Sequence, residues 1–265
     1  MEVIIQETAN DAAFLTARLV ADALRENPHL VMGLATGRTM EGVYHNLVRM
    51  HREEALDFSE ARTFNLDEYI GLAAEDPNSY RYYMNEHLFH HVNIQPHHTH
   101  LPKGMARDIP TECRQYEALI RNVGGIDLQL LGIGRSGHIG FNEPLSALLS
   151  RTRGKSLAPA TVAQNQGLFA NDRPMPRRAI TMGVGTILES KWCLLLVTGE
   201  EKAAVLAKAV EGPVTSMISA TALQLHAHCT VIIDEAAASH LEMTEYYRWV
   251  FANEPEWAPY RAAKE

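Results

Sequence analysis
Six short apolar runs, at residues 3–5, 30–35, 63–66, 128–133, 192–198 and 230–233, recur along the chain with helix-compatible stretches between them. Runs of this length bounded by polar turns read as strands, and strands alternating with helices assemble a parallel sheet covered by those helices. The expected fold class is therefore α/β: a doubly wound, mostly parallel open sheet with helices on both faces. Met40, Val43, Tyr44, Leu47 and Val48 follow the i, i+3, i+4, i+7, i+8 stripe of a helix lying on such a sheet. Cys113, Tyr116, Leu119 and Ile120 repeat the stripe more weakly, as do Ala203, Leu206 and Val210. A further helix is expected within residues 241–251, and the Arg-Pro-Met-Pro run at 173–176 reads as a loop.

No Gly-, Ser- or Pro-rich linker and no internal repeat divides the chain, so its 265 residues are expected to form one large domain, 1–265, against a prior of about 150 residues per domain. A hydrophobic fraction of 46% with 21% charged residues excludes a disordered or fibrous chain. With 32 acidic against 24 basic side chains, a net charge of −8 argues against a general electrostatic hold on nucleic acid or an acidic membrane. An anionic ligand has to be gripped locally. Cys113, Cys193 and Cys229 are odd in number and sit in apolar surroundings, as buried thiols of a reducing compartment do. Residues 1–6 lack a basic leader and no 18 apolar residues follow one another, so a cytoplasmic location is expected.

Open α/β sheets bind ligands where strands end and helices begin. Three such junctions carry polar clusters. Gly33-Leu34-Ala35-Thr36-Gly37-Arg38-Thr39 outlines a phosphate cradle, with Gly37 allowing close backbone approach, Thr36 and Thr39 offering hydroxyls, and the following amides presenting the positive end of a helix. A threonine-capped turn gives the same pattern, and neither a P-loop nor a dinucleotide fingerprint fits. Phe64-Asn65-Leu66-Asp67-Glu68-Tyr69 ends a strand in two carboxylates that alternation sends to different sides, one free to act as a base and the other to pair structurally. The third junction, residues 132–144, packs four glycines into nine positions around His138 and Glu143, a histidine and carboxylate suited to moving protons near neutrality.

These residues resemble the glucosamine-6-phosphate deaminase family. The resemblance is carried by Leu34-Ala35-Thr36-Gly37, Phe64-Asn65-Leu66-Asp67-Glu68-Tyr69, Gly137-His138-Ile139-Gly140-Phe141-Asn142-Glu143-Pro144, Ser150-Arg151-Thr152-Arg153 and Gly183-Val184-Gly185-Thr186, in that order. It implies an aldose–ketose isomerisation coupled to loss of the amino group, turning glucosamine 6-phosphate and water into fructose 6-phosphate and ammonia, with no metal or organic cofactor. By position Asp67 is the base that moves a proton from C2 to C1, and His138, with Glu143 and Ser136, opens the sugar ring. The phosphate falls to Thr36, Gly37, Arg38, Thr39 and Lys202. An allosteric site for an acetylated sugar phosphate maps to Ser146, Arg153 and Lys155. The partner implied is a small phosphorylated amino sugar, and the assembly a homo-oligomer, with hexamer, trimer and monomer all known in the family.

Three positions depart from the family pattern. Ser136 stands where an acidic or amide residue is usual, Gly167 where an arginine binds phosphate, and Met40 where proline commonly starts the helix. Arg38 replaces a usual glycine or serine, so it is expected to supply the guanidinium missing at Gly167. Changes gathered around one pocket fit a paralogue for another amino-sugar phosphate, such as galactosamine 6-phosphate, or a sugar-phosphate sensor without turnover. A 6-phosphogluconolactonase-like esterase fits less well, since lactone hydrolysis needs no base for a carbon acid. The histidines at 90, 91, 97, 98 and 100 have no accompanying ligand pattern and are not expected to hold a metal.

Overall fold
The computed structural model describes residues 1–169 and 174–261. In chain order its strands are β1 (Glu2–Gln6), β2 (Val31–Leu34), β3 (Arg62–Asn65), β4 (Asp67–Tyr69), β5 (Thr99–His100), β6 (Leu128–Leu131), β7 (Arg153–Ser156), β8 (Arg178–Thr181), β9 (Trp192–Val197) and β10 (Cys229–Asp234). Its α-helices are α1 (Ala9–Glu26), α2 (Arg38–Glu54), α3 (Tyr80–His87), α4 (Ile109–Asn122), α5 (Pro159–Asn165), α6 (Val184–Leu188), α7 (Ala203–Val210), α8 (Glu235–Ala238), α9 (Thr244–Asn253) and α10 (Ala258–Arg261). All six apolar runs are strands, and the striped segments fall in α2, α4 and α7. The helix expected from residue 241 starts at Thr244, and Arg173 of the expected loop lies outside the described residues.

Seven strands form one sheet in the order β1-β10-β9-β6-β2-β3-β5, and every pairing in it is parallel. Residues such as Leu130, Leu194, Ile232 and Phe64 are fully buried within it, as strands covered by helices require. The longest helix, α1, has no clean stripe: its buried positions include Ala12, Ala13, Leu15, Thr16, Ala17, Leu19, Val20 and Ala21, which wrap most of its circumference. Its start is fixed by Thr8 and Asp11, whose side chains each bond the other's backbone N–H, an arrangement that stabilises a helix by about 1 kcal/mol. At the other end of the chain Trp257 is buried against Phe251 and Tyr260, and the Tyr260 hydroxyl donates to Asp22 of α1 at 3.0 Å.

A second sheet, antiparallel and ordered β4-β8-β7, was not expected from the apolar runs. It arises because the chain bends at Leu66, whose N–H still bonds Leu34 of the large sheet (3.0 Å) while its carbonyl accepts the Met182 N–H (2.6 Å). Asp67 then pairs with Thr181, and Arg153 with Thr181 from the other side. The carboxyl ends of β2, β3, β6 and β9 thus lie along one edge, with the chain running outward in both directions from the β6–β2 boundary. The β4-β8-β7 sheet joins that edge through Leu66.

Candidate active site
Glu68 is buried and accepts the backbone N–H groups of Tyr69 (2.9 Å), Tyr80 (3.0 Å) and Arg81 (3.0 Å), the last two being amides at the start of α3 that have no partner within the helix. It is the structural member of the carboxylate pair. It also borders a cavity of about 650 Å³ shared with Arg81, His100 and Glu112, from which Asp67 is absent. Asp67, 5% exposed, points to the other side of β4. Burial, reinforced by the adjacent Glu68 charge, outweighs the Phe141 N–H and pushes the Asp67 carboxyl up to about 8. Gly140, at φ +55°, brings the loop after β6 over this carboxylate: a Cβ there would lie 3.4 Å from Asp67 Oδ2 and 3.0 Å from Thr181 Oγ1.

That loop folds on itself through Gly134 N–H to His138 O (2.8 Å) and Gly137 N–H to Gly134 O (2.9 Å). A side chain at Gly134 would overlap the Nε2 edge of the His138 ring, so the imidazole occupies space that only glycine leaves open. Two oxygens converge on the opposite nitrogen: Ser136 Oγ at 2.7 Å and Glu143 Oε2 at 3.2 Å from His138 Nδ1. With Nδ1 bare, the carboxylate would face a lone pair. With a proton there, Nδ1–H serves these acceptors and Nε2 keeps its lone pair. Glu143 is itself fixed by the Ala158 N–H, which donates to Oε1 at 3.0 Å. Burial raises its pKa, but the His138 ring, the Thr161 hydroxyl and the Ala158 N–H prevail and hold it down at about 2.

The expected phosphate loop lies between β2 and α2. Gly37, at φ +111°, is the N-cap of α2 and supplies no side chain to its first amides, while its carbonyl accepts the Tyr83 hydroxyl (2.9 Å). Thr36 bonds the Tyr80 hydroxyl, and Arg38 is exposed at the first position of α2. Lys202 is half-buried in the single 3₁₀ turn Glu200–Lys202 before α7; burial lowers its pKa, as does the nearby Arg135 charge against the opposing pull of Glu201. Gly167 is exposed with open space around it. Of the three allosteric candidates, Arg153 donates to Ser146 Oγ (3.1 Å) and also to Asn142 Oδ1 (2.8 Å), tying them to the loop of Glu143. Lys155 follows two residues along β7, on the same face as Arg153.

Several contributors were not legible as site residues. Thr161 holds Glu143, and Thr181 Oγ1 accepts the Phe141 N–H at 3.0 Å. Ser219 takes the Ile139 N–H at 3.2 Å and donates to Asn142 O at 2.9 Å. Each lies at least 18 residues from the groups it supports, and an isolated Ser or Thr carries no spacing signal. Among the described residues no group of three or more His, Cys, Asp or Glu side chains is placed to hold a metal, and no helix is long and apolar enough to cross a membrane.

A buried carboxylate under a loop that presents a histidine–glutamate pair, at the carboxyl edge of a parallel sheet, is an arrangement suited to moving protons on a sugar phosphate. The chain belongs to the family of glucosamine-6-phosphate isomerases and 6-phosphogluconolactonases, which matches residues 5–232. Within that family its nearer resemblance is to the deaminases. It is 50% identical over 250 residues to the glucosamine-6-phosphate deaminase of Cellvibrio japonicus, covering 94% of this chain and 95% of that protein. It is 46% identical over 239 residues to glucosamine-6-phosphate deaminase 1 of Bacillus subtilis, covering 90% and 99%. A solved structure of a monomeric glucosamine-6-phosphate deaminase superposes with a TM-score of 0.89 at 45% identity, over 91% of this chain and all of that one. The 6-phosphogluconolactonase of Trypanosoma brucei shares the fold, with a TM-score of 0.72 at 18% identity over 91% and 98% of the two chains.

Proposed function
We propose that this protein is a glucosamine-6-phosphate deaminase, converting glucosamine 6-phosphate and water into fructose 6-phosphate and ammonia. The observation that carries the reading is the pairing of a buried Asp67 with the Ser136–His138–Glu143 cluster on the loop folded over it. In the ring-opening step His138 Nε2 takes the proton of the anomeric hydroxyl and returns one to the ring oxygen, giving the open-chain aldehyde. The imidazolium formed in between is stabilised by Glu143, whose low pKa keeps it charged throughout. Asp67 then removes the C2 proton, the electron pair moves into a C1–C2 double bond, and the aldehyde oxygen takes up the proton that the substrate ammonium releases, giving an enolamine. The same carboxyl returns the proton to C1, leaving a C2 iminium that adds water and expels ammonia. A substrate ammonium beside Asp67 lowers the carboxyl's pKa and supplies the base in its ionised form. Fixing a short carboxylate on a strand end places it over the carbon acid without reorganisation.

The reading extends to phosphate contacts from Thr36, Gly37, Arg38, Thr39 and Lys202, to an effector role for Ser146, Arg153 and Lys155, and to a single working unit over 1–265. A reducing, cytoplasmic setting is supported by three buried cysteines present as free thiols. A homo-oligomer is supported by Leu145, Met217 and Leu149, which are 72%, 52% and 86% exposed on segments flanking Ser146. The test is a coupled ammonia assay across hexosamine 6-phosphates, with isotope exchange in heavy water. Ammonia and fructose 6-phosphate from the gluco substrate, with solvent deuterium entering C1, are the expected result. Binding without exchange refutes the reading in favour of a sensor, and preference for the galacto epimer refutes the substrate assignment.

A further inference from the structure
The loop after β6 does more than carry His138. Gly132 lies against α2, with its Cβ position 3.4 Å from Met40 Cε, and Gly137 lies against the first turn of α7, with its Cβ position 2.8 Å from Val205 Cγ2. Residues 132–137 therefore bridge the starts of the two helices whose junctions hold Thr36–Thr39 and Lys202. The frame underneath is rigid, since β6 is paired with β2 on one side and with β9 on the other. Arg135 sits at the exposed top of this bridge. It is close enough to Lys202 for the two positive charges to depress the lysine. Among the described residues neither cation forms an ion pair with a carboxylate. Glu201 attracts Lys202 without forming an ion pair with it, the two adjacent cations still repel one another, and an anion placed between them removes that repulsion.

We infer that Arg135 is a phosphate-binding residue that, with Lys202, grips the sugar phosphate and supplies the guanidinium absent at Gly167. A phosphate dianion there meets two positive charges and the amides of Arg38 and Thr39 at the start of α2, and an arginine fork can hold two of its oxygens. Arg38, exposed at the first position of α2, is not required for that balance. This inference rests on the sugar-phosphate reading, and its test separates the two. Inorganic phosphate binding is measured by calorimetry, independently of turnover, alongside the steady-state kinetics of wild type, Arg135→Ala and Arg135→Lys. The expected result for Arg135→Ala is a roughly ten- to hundredfold weaker Kd for phosphate, and a KM for glucosamine 6-phosphate raised in the same proportion with kcat nearly kept. Arg135→Lys is expected to recover part of both. Unchanged phosphate affinity in Arg135→Ala overturns the inference even if the wild type turns over. An inactive wild type that binds phosphate through Arg135 instead overturns the deaminase reading and leaves the inference standing.

Discussion
Replacing Asp67 by asparagine should change how the stability of the protein depends on pH. The carboxyl moves from an ordinary 3.8 to about 8 when the chain folds, because it is buried beside Glu68. Between those two values the folded state keeps a proton that the unfolded chain has lost, so raising the pH through this window costs stability. A single group displaced this far contributes a slope approaching 1.4 kcal/mol per pH unit. Asparagine cannot ionise, so the wild type should lose about 2.5 kcal/mol relative to Asp67→Asn between pH 5 and pH 7. Urea denaturation of both proteins at pH 5, 6 and 7 measures this difference directly, and other titrating groups cancel in the comparison. Parallel stability–pH curves for the two proteins would refute the claim that folding holds this carboxyl protonated. The same strain makes the group useful: a site that disfavours the carboxylate until a cationic substrate arrives holds a stronger base than one ionised in water.

Three further outcomes follow from the same geometry. The kcat/KM of the wild type should climb with pH along a limb set by Asp67 near 8 in the free enzyme, and a flat profile from pH 6 to 9 would count against Asp67 as the base. Ser136→Ala removes one of the two oxygens at His138 Nδ1 while Glu143 remains, so kcat should fall by about two- to tenfold, measured at saturating substrate. Gly134→Ala should displace the imidazole at little cost in Tm, so activity collapses while the melting curve barely moves; retained turnover would show that Nε2 is not the working nitrogen.

The large sheet was readable from sequence because each of its long strands is an uninterrupted apolar run, a consequence of burial on both faces. β4, β7 and β8 were not readable by that route. Asp-Glu-Tyr and Arg-Gly-Lys-Ser contain too little apolar surface, and their pairing depends on Leu66 and Met182 meeting across more than 100 residues. α1 escaped the stripe pattern through its alanines and near-complete burial. At the site, alternation foresaw that Asp67 and Glu68 would part company, and the glycine density around His138 marked the tight loop that the structure displays. Arg135 was hidden in plain view. Its significance depends on α7 approaching from a segment that starts 68 residues away, and no local pattern reports that approach.

The reversal of strand order between β6 and β2 has a consequence for how such proteins diversify. From that boundary one set of connections leads toward β3 and β5 and the other toward β9 and β10, so segments on the two flanks can lengthen, shorten or exchange side chains without crossing. The proposed phosphate contacts, after β2 and after β9, and the proposed proton-moving groups, after β3 and after β6, each straddle that boundary, so a lineage can retune either function from either flank while the sheet serves as an unchanging chassis. The same chassis persists in a chain that shares only 18% of its residues with this one.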